Sequence, residues 1–459
     1  MIKGAIHIMS TPDNDKKIDM LNGPLLSKLL LFALPIILGS VLQQLFSAVD
    51  TAVVGLTGDT VGQAAIGANT TIIHLFINFF IGISVGINVL VGSYIGQGHK
   101  ERISRTVHTA ITFAFLSGVL MICLIEFVAR PLLILMSTPD NVLDQAVLYL
   151  RIYAIGMPFI LVYNFGAAVL RTIGDTKRPL YALMIAGVVN MVGDYVLTVV
   201  AGMGVTGVAI ATVFSNVISS MIVIAFLLRT ESHVRLDLKK LSIDPGDLKK
   251  LLRVGLPAGG QAMVFSIANM TIQSAINIFG SDAIAGNTIA LIFEVLSYYV
   301  ITGFNQAAVT FTSQNYGAGN KKRCLKVFAL SMGAALVLTN IVNFTFIFGK
   351  HFFCGMFTTD DNVLHYAFLR FGVVLVVQFL VCTYEIAGSV IRGFGYSMLP
   401  TAITIVGTCL LRVIWVKTVC AGTTDITKVF FVYPLSWIVT GTMMLVAFYV
   451  LYRKIKVKS

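Results

Sequence analysis

The stretch Leu29–Val49, LLLFALPIILGSVLQQLFSAV, runs for 21 residues without a charged side chain and ends beside Asp50. At a rise of about 1.5 Å per residue, a helix of this length crosses a bilayer core that is about 30 Å thick. Eleven further apolar runs follow, so the sequence predicts an all-α integral membrane protein with twelve transmembrane helices. The predicted spans are 27–55, 62–95, 106–128, 145–170, 179–200, 205–228, 251–277, 284–312, 325–349, 364–391, 400–420 and 429–452.

The composition of the 459-residue chain agrees with this prediction, because 57% of its residues are hydrophobic and only 12% are charged. Soluble proteins carry about 25% charged residues, so an ordinary soluble protein is excluded. Twelve spans of about 20 residues take up roughly 240 residues, which leaves no room for large soluble domains. The net charge is +12, but the basic residues lie in short clusters between the apolar runs. We interpret them as topology signals and expect no nucleic-acid partner. The sequence contains no phosphate-binding loop for ATP, and we expect no cofactor.

The basic residues are distributed unequally between the two sides of the membrane. One side collects 26 Lys and Arg residues, and the other collects only Arg130, Lys350, Lys417 and Lys428. Because positive residues favour the cytoplasm, we predict a multi-pass protein of the plasma (inner) membrane with both termini cytoplasmic. Arg151 and Arg370 fall near the outer ends of spans, where snorkelling to the lipid headgroups is expected.

The two halves of the chain repeat each other. LLLFALP at 29–35 returns as LLRVGLP at 251–257, which is an offset of 222, and GQGHKER at 96–102 returns as GAGNKKR at 317–323, an offset of 221. The offset stays at 221 for two later motifs, which begin at Asp140 and Arg171. Since each half has an even number of spans, both have the same orientation. The sequence therefore predicts two six-helix lobes related by a pseudo-twofold along the membrane normal.

This repeat sets the predicted domain boundaries. They are a cytoplasmic tail at 1–24, an N-terminal lobe at 25–228, a cytoplasmic linker at 229–250, a C-terminal lobe at 251–452 and a basic cytoplasmic tail at 453–459.

Acidic residues at membrane depth are costly and usually mark ion paths or paired sites. Asp50 and Asp194 both fall in the outer half of the N-terminal lobe, and Asn190 lies one turn before Asp194 on the same helix face. Thr212 falls at the same depth in the sixth span. Such an oxygen-rich cluster suits a hard cation such as Na⁺, and two carboxylates in a poorly hydrated site also favour binding of a proton. We therefore predict an ion-coupling site at these four residues.

The C-terminal lobe has different deep polar residues. Glu294 lies near the middle of the eighth span, where a carboxylate facing a central cleft would attract a cationic substrate. Glu385 lies in the tenth span and is interpreted as structural, and its repeat mate Asn164 is polar as well. Pro35 and Pro257 lie inside the first span of each half and are expected to bend it, either as a fixed kink or in a transport cycle.

Several motifs resemble those of the multidrug and toxic compound extrusion family. They are the run 31–55 around Asp50, RTIGDTKRP at 171–179, NMVGD at 190–194 and the glycine-rich run 202–212. The resemblance covers nearly the whole chain. It implies a twelve-helix antiporter that expels organic cations in exchange for protons or sodium ions. It also implies that the ion site of the N-terminal lobe falls on Asp50, Asn190, Asp194 and Thr212.

The resemblance has departures and leaves alternatives. Some sodium-coupled relatives also carry an acid on the seventh helix, where this chain has Asn269 and Gln273, so a sodium site in the C-terminal lobe is not expected. The favoured function is export of amphipathic organic cations by a monomeric antiporter in contact with membrane lipids. A flippase for lipid-linked precursors is the alternative. A membrane-embedded enzyme is a remote one, because no nucleophile or metal-ligand motif lies at membrane depth.

Overall fold

The computed structural model describes residues 17–136 and 138–457, and all regular elements in this part of the chain are helices. Eleven helices are long and apolar enough to cross a membrane, and a pair of helices bent by 47° provides a twelfth crossing. The crossings are α1 Leu25–Leu56, α2 Thr60–Gln97, α3 Lys100–Leu135, α4 Asp140–Ile155 with Met157–Thr172, α5 Lys177–Val200, α6 Val205–Arg229, α7 Pro245–Asn277, α8 Ser281–Gly317, α9 Lys321–Phe348, α10 Asp361–Gly393, α11 Met398–Thr418 and α12 Ile426–Ile455. This confirms the predicted fold class.

The repeat is visible in the backbone. Gly98 and Gly319 end α2 and α8 with φ of +73° and +78°, and Gly174 and Gly395 follow α4 and α10 with φ of +80° and +91°. A left-handed residue after a helix is most readily supplied by glycine, which has no Cβ to clash. Each pair is related by the repeat offset of 221, so both halves end equivalent helices in the same way.

The fourth helix of each lobe departs from a regular α-helix, which the sequence analysis did not predict. α4 bends at Gly156, directly before Met157 and Pro158. Proline has no N–H to donate and crowds the preceding turn, which accounts for the break. In α10 the equivalent stretch Leu375–Leu380 is a 3₁₀ helix. Pro35 and Pro257, in contrast, lie within the uninterrupted helices α1 and α7.

Each half has its own apolar core. The larger core draws its buried side chains from residues 54–251, and a second one draws them from residues 272–455, together with Ala33 of α1. Each six-helix set thus has an apolar core of its own, and smaller apolar clusters, such as Val89 with Val254 and Val309, join the two lobes. Many large apolar side chains remain exposed along α1, α3, α5 and α12, as expected where lipid covers them.

The connection between the lobes packs against the N-terminal lobe. Val234 and Leu236 are buried in the larger core, and the backbone N–H of Asp237 donates to Nε2 of His108 at 2.9 Å. α7 begins at Pro245, inside the stretch predicted as linker, where the side chain of Asp244 caps the helix. The connection is thus shorter than predicted and fixed to one lobe.

Candidate ion-binding and substrate site

The acidic residues of the N-terminal lobe lie together. Asp50 comes from α1, and Asn190 and Asp194 come from α5; Asp194 is completely buried. The Nδ2 atom of Asn190 donates to Oδ1 of Asp194 at 3.3 Å. The carboxyl group of Asp50 lies close enough to Asp194 and Asn190 to interact with both. The three side chains therefore form one polar cluster about 9 to 15 Å from the end of α5.

Small residues allow the helices to approach at this cluster. A Cβ at Gly187 of α5 would lie only 1.8 Å from Cζ of Phe46 on α1, and a Cβ at Gly193 would lie 3.0 Å from Cβ of Ala211 on α6. α1 and α6 therefore flank α5 at close range. Directly after Asp194, α5 changes to a π-helix over Tyr195–Val200. Such π segments are frequent at functional sites because they re-aim side chains.

The two carboxyl groups have unused bonding capacity. Oδ1 of Asp50 and Oδ2 of Asp194 are buried and have no hydrogen-bond partner. Within the described residues, no Lys or Arg forms an ion pair with either acid. Two carboxyl groups can hydrogen-bond to each other only if one of them carries a proton. Because no basic side chain in the described chain neutralises the two acids, the pair can hold a proton, or another cation in its place.

The fourth predicted ligand, Thr212, uses its hydroxyl proton within α6, and two tyrosines add to the surroundings of the acid pair. The hydroxyl of Thr212 donates to the carbonyl of Val208 in its own helix at 2.9 Å, and only its lone pairs remain for a ligand. Tyr149 of α4 interacts electrostatically with both acids, and Tyr153 interacts with Asp50. Sequence analysis missed these tyrosines. Their spacing of four residues, which places them on one helix face, was the available signal.

The two lobes are joined on one side of the bundle. We call this side the terminal face; it is where α1 begins and α12 ends. Tyr299 of α8 donates to Oε1 of Gln44 of α1 at 2.8 Å, about midway along both helices. The other hydrogen bonds between the lobes in the described chain lie nearer the terminal face, including the 3.0 Å bond from Nδ2 of Asn88 to Oε1 of Gln306. Among residues 17–136 and 138–457, the lobes are thus closed together at the terminal face, and no such bonds join them in the opposite half.

A buried carboxylate is part of this closure. Asp247, at the start of α7, is completely buried and accepts hydrogen bonds from Nε of Arg105 at 3.0 Å and from the hydroxyl of Thr106 at 3.1 Å. Nζ of Lys250 lies 3.7 Å away, and the hydroxyl of Tyr94 lies 3.5 Å away. Since Arg105, Thr106 and Tyr94 belong to the N-terminal lobe, Asp247 ties α7 to that lobe.

A second set of contacts at the terminal face involves the segment that precedes α1. Nδ2 of Asn315 donates to the carbonyl of Met20 at 3.1 Å, and Nη2 of Arg323 donates to the carbonyl of Asn22 at 2.9 Å. The backbone N–H of Ile18 donates to the carbonyl of Gly174 at 3.3 Å. The segment before α1 therefore contacts both lobes.

Glu294 is engaged by an arginine. Its Oε2 accepts from Nη2 of Arg370 at 2.6 Å and from Nε of the same residue at 3.0 Å. Arg370 also donates to Oδ1 of Asn287 at 2.7 Å and is only 1% exposed. The interpretation of Arg370 as a residue that reaches the headgroups is therefore wrong. Glu294 is thus paired with a buried guanidinium and is itself 14% exposed, and its role in substrate binding stays a prediction.

Glu385 lies in a separate network. It accepts hydrogen bonds from Asn305 and from the hydroxyl of Tyr298, the latter at 3.3 Å, and it interacts electrostatically with Arg392. These contacts agree with a structural role, which stays a prediction. Asn164, its repeat mate, donates to the carbonyl of Ile160 one turn earlier at 2.9 Å.

Comparison with known families matches the chain twice. The MatE family model covers residues 35–196 and again 257–416. The chain belongs to the MatE family. The two matches begin at Pro35 and Pro257, so the family pattern itself repeats with the same offset that relates LLLFALP to LLRVGLP in the sequence. MatE proteins are transporters and not enzymes, and they need no cofactor.

Individual MatE relatives agree with this assignment. The chain is 27% identical over 386 residues to the probable multidrug resistance protein YoeA of Bacillus subtilis, with 82% of each chain covered. It is 24% identical to the FAD transporter of Shewanella oneidensis over 380 residues, which are 81% of this chain and 82% of that one. A solved MATE transporter in an outward-facing conformation superposes with a TM-score of 0.89 at 21% identity, covering 97% of this chain and all of that one. The protein is accordingly a multi-pass membrane transporter of small molecules.

Proposed function

We propose that the protein is a secondary active antiporter that exports amphipathic organic cations in exchange for protons or sodium ions. The observation that carries this proposal is the buried pair of Asp50 and Asp194, in which one oxygen of each carboxyl lacks a partner. A proton on one carboxyl would allow the two groups to share a hydrogen bond. A sodium ion would instead be held by the unpaired oxygens of the two carboxyl groups, together with the side-chain carbonyl of Asn190 and the hydroxyl of Thr212.

The orientation follows from the charge distribution. Because 26 Lys and Arg residues lie on the side of the termini and four on the other, we propose that the terminal face is cytoplasmic and that the membrane is the plasma membrane. The closure around Asp247 then lies on the cytoplasmic side, and the acid pair lies nearer the outside. In this orientation the lobes are bonded together on the cytoplasmic side, and we propose that this state accepts cations from outside.

Coupling requires that the ion and the substrate favour different states. A ligand shifts a conformational equilibrium only by its difference in affinity for the two states. We propose that ion binding between α1 and α5 changes the packing of the N-terminal lobe, favours release of substrate to the outside and lets the emptied protein return. Asp50 and Asp194 lie on different helices, so an ion shared between them can act on helix packing directly.

Glu294 enters the proposal as a residue that selects substrates. Its partner Arg370 neutralises it in the present state, so a cationic substrate would have to compete with the guanidinium for the carboxylate. We propose that the protein acts as a monomer in contact with lipids, since each lobe has its own core and its outer helices expose apolar side chains.

Efflux from liposomes tests the function. Purified full-length protein is reconstituted, a cationic dye is loaded, and a pH gradient and a sodium gradient are imposed separately. We expect at least one gradient to drive the dye against its own gradient. If neither gradient moves the cationic dye, the proposed export of organic cations is wrong.

A further inference from the structure

The buried charges of the C-terminal lobe do not balance. Arg370 and Arg412 are each 1% exposed, and the only ion pair formed by either residue in the described chain is that between Arg370 and Glu294. Arg412 lies six residues before Thr418, the end of α11, and therefore at about 9 Å from the helix end opposite the terminal face. A charged group at this depth is costly unless another charge compensates it.

In the part of the chain that the structure describes, the hydrogen-bond partners of Arg412 are all neutral. Its Nη1 donates to Oδ1 of Asn269 at 2.7 Å, and its Nε donates to Oγ of Ser436 at 3.2 Å. Nη2 is buried and has no partner. An unsatisfied donor on a charged group carries a larger penalty than one on a neutral group. Arg370 offers the contrast, because its Nη1 donates to Asn287 and its Nη2 and Nε donate to Glu294.

Two aromatic rings hold the guanidinium of Arg412 in place. It lies 5.2 Å from the ring centroid of Phe265 and 4.6 Å from that of Tyr433. Cation–π contacts offset part of the desolvation of a buried cation, but they use the face of the guanidinium and leave its edge for hydrogen bonds. The free donor on this edge is therefore pre-oriented. Planar guanidinium edges match the oxygens of carboxylate and phosphate groups.

We propose that Arg412 binds an oxyanion, either a carboxylate or a phosphate group. Asn269, which accepts a hydrogen bond from Arg412, lies on the part of α7 beyond the close approach of Gly259 to Gly82, away from the terminal face. A ligand would enter from that side. The inference rests on the proposed export function and deepens it, because it names a chemical group on the molecule bound there. The oxyanion comes from a soluble substrate or from a lipid headgroup.

Thermal stability of the purified full-length protein tests both sources. Benzoate is titrated against its neutral isostere benzamide, and nanodiscs of phosphatidylglycerol are compared with nanodiscs of phosphatidylcholine. We expect benzoate or phosphatidylglycerol to raise the Tm saturably, as a ligand that binds only the folded state must. Stabilisation by benzoate indicates a soluble substrate, and stabilisation by phosphatidylglycerol alone indicates a lipid. If neither anion stabilises the wild type more than its neutral counterpart, the site does not exist.

Variants locate the effect. Arg412→Gln should raise the apparent dissociation constant of the stabilising anion by about tenfold or more. Arg412→Lys keeps the charge but not the planar edge, so its apparent dissociation constant should lie between those of the wild type and Arg412→Gln. It replaces the glutamine variant in the test if that variant does not fold. Arg453→Gln is the matched control, because Arg453 lies at the same 4.6 Å from an aromatic ring, that of Tyr449, but is exposed. An anion effect that persists in both Arg412 variants, or disappears in Arg453→Gln, would overturn the assignment. No ion gradient is involved, so failure here is distinguishable from failure of antiport.

Discussion

Tyr149 and Arg370 occupy equivalent positions in the two lobes, related by the repeat offset of 221, but their surroundings differ in charge. Tyr149 lies beside the acid pair of Asp50 and Asp194, whereas Arg370 forms a buried ion pair with Glu294. The repeated backbone therefore presents acids without a counter-charge in one lobe and arginines in excess in the other. A symmetric fold thus carries an asymmetric charge distribution.

We expect Asp50→Asn and Asp194→Asn each to abolish gradient-driven efflux while the protein remains folded and inserted. Each change removes a carboxylate that binds the ion, so the ion no longer favours one conformational state over the other. Drug binding can survive because the drug site is unchanged. Efflux from liposomes and dye binding in detergent are the measurements. Asp144→Asn is the control, because Asp144 is 82% exposed and pairs only with Arg130 in the same lobe. A double variant that still couples efflux to the gradient contradicts the ion site.

The coupling ion can be identified from the same residues. If it is a proton, the two acids should titrate as an interacting pair. Replacing one acid should then change the pH dependence of efflux that the remaining acid produces. If it is sodium, Na⁺ should raise the Tm of the wild type, and the increment should disappear in Asn190→Ala. Potassium at equal ionic strength is the control. An equal Tm in both salts together with independent pH profiles would exclude both forms of the site.

The substitution Glu294→Gln should lower stability as well as transport. It leaves Arg370 buried without its counter-charge, and breaking a buried pair in this way costs about 3 to 5 kcal/mol. Efflux of a cationic dye should fall more than that of its neutral isostere. In the double variant Glu294→Gln with Arg370→Gln, the stability loss should be smaller than the sum of the single losses. Additive losses in Tm would contradict the stabilising pair of Glu294 and Arg370. An equal loss of efflux for both dyes would contradict the role of Glu294 in selecting cations.

The closure at the terminal face should weaken in Asp247→Asn. The change removes the charge that Arg105 and Lys250 share, and it should shift the equilibrium toward states open at this face. A cysteine at Ser313, which is completely buried between the lobes, should then be labelled faster. Cys123, the exposed native cysteine, is first replaced by serine. Asp237→Asn is the control, since this acid is 45% exposed and pairs with Lys240 in the connection. Unchanged labelling in Asp247→Asn would show that this carboxylate does not hold the lobes together.

Single-cysteine labelling also tests the orientation. A membrane-impermeant reagent added outside cells should react with a cysteine placed beside Asp140 and not with one placed at exposed Ser242 in the connection between the lobes. The charge distribution gives this expectation. Equal labelling of both sites would show that the termini are not cytoplasmic.

The sequence by itself determined the number of crossings, the internal repeat and the candidate acids. Each depends on local properties: the length of an apolar run, the periodicity of an α-helix and the cost of a charge in lipid. Asn190 and Asp194 could be placed on one face because they are four residues apart on one helix. The bend at Gly156 was missed, although Pro158 signalled it, because the run around it is apolar throughout.

Only the tertiary structure decided which polar groups meet. Helix depth follows from counting residues, but contact depends on how each helix is rotated and how closely it approaches its neighbour. Gly187 permits the approach of α1 and α5 that brings Asp50 to Asp194. The pairing of Glu294 with Arg370 joins α8 to α10, and the isolation of Arg412 depends on α7 and α12. The side on which the lobes close is likewise a property of packing between helices, because contacts between distant parts of the chain leave no periodic signal in it.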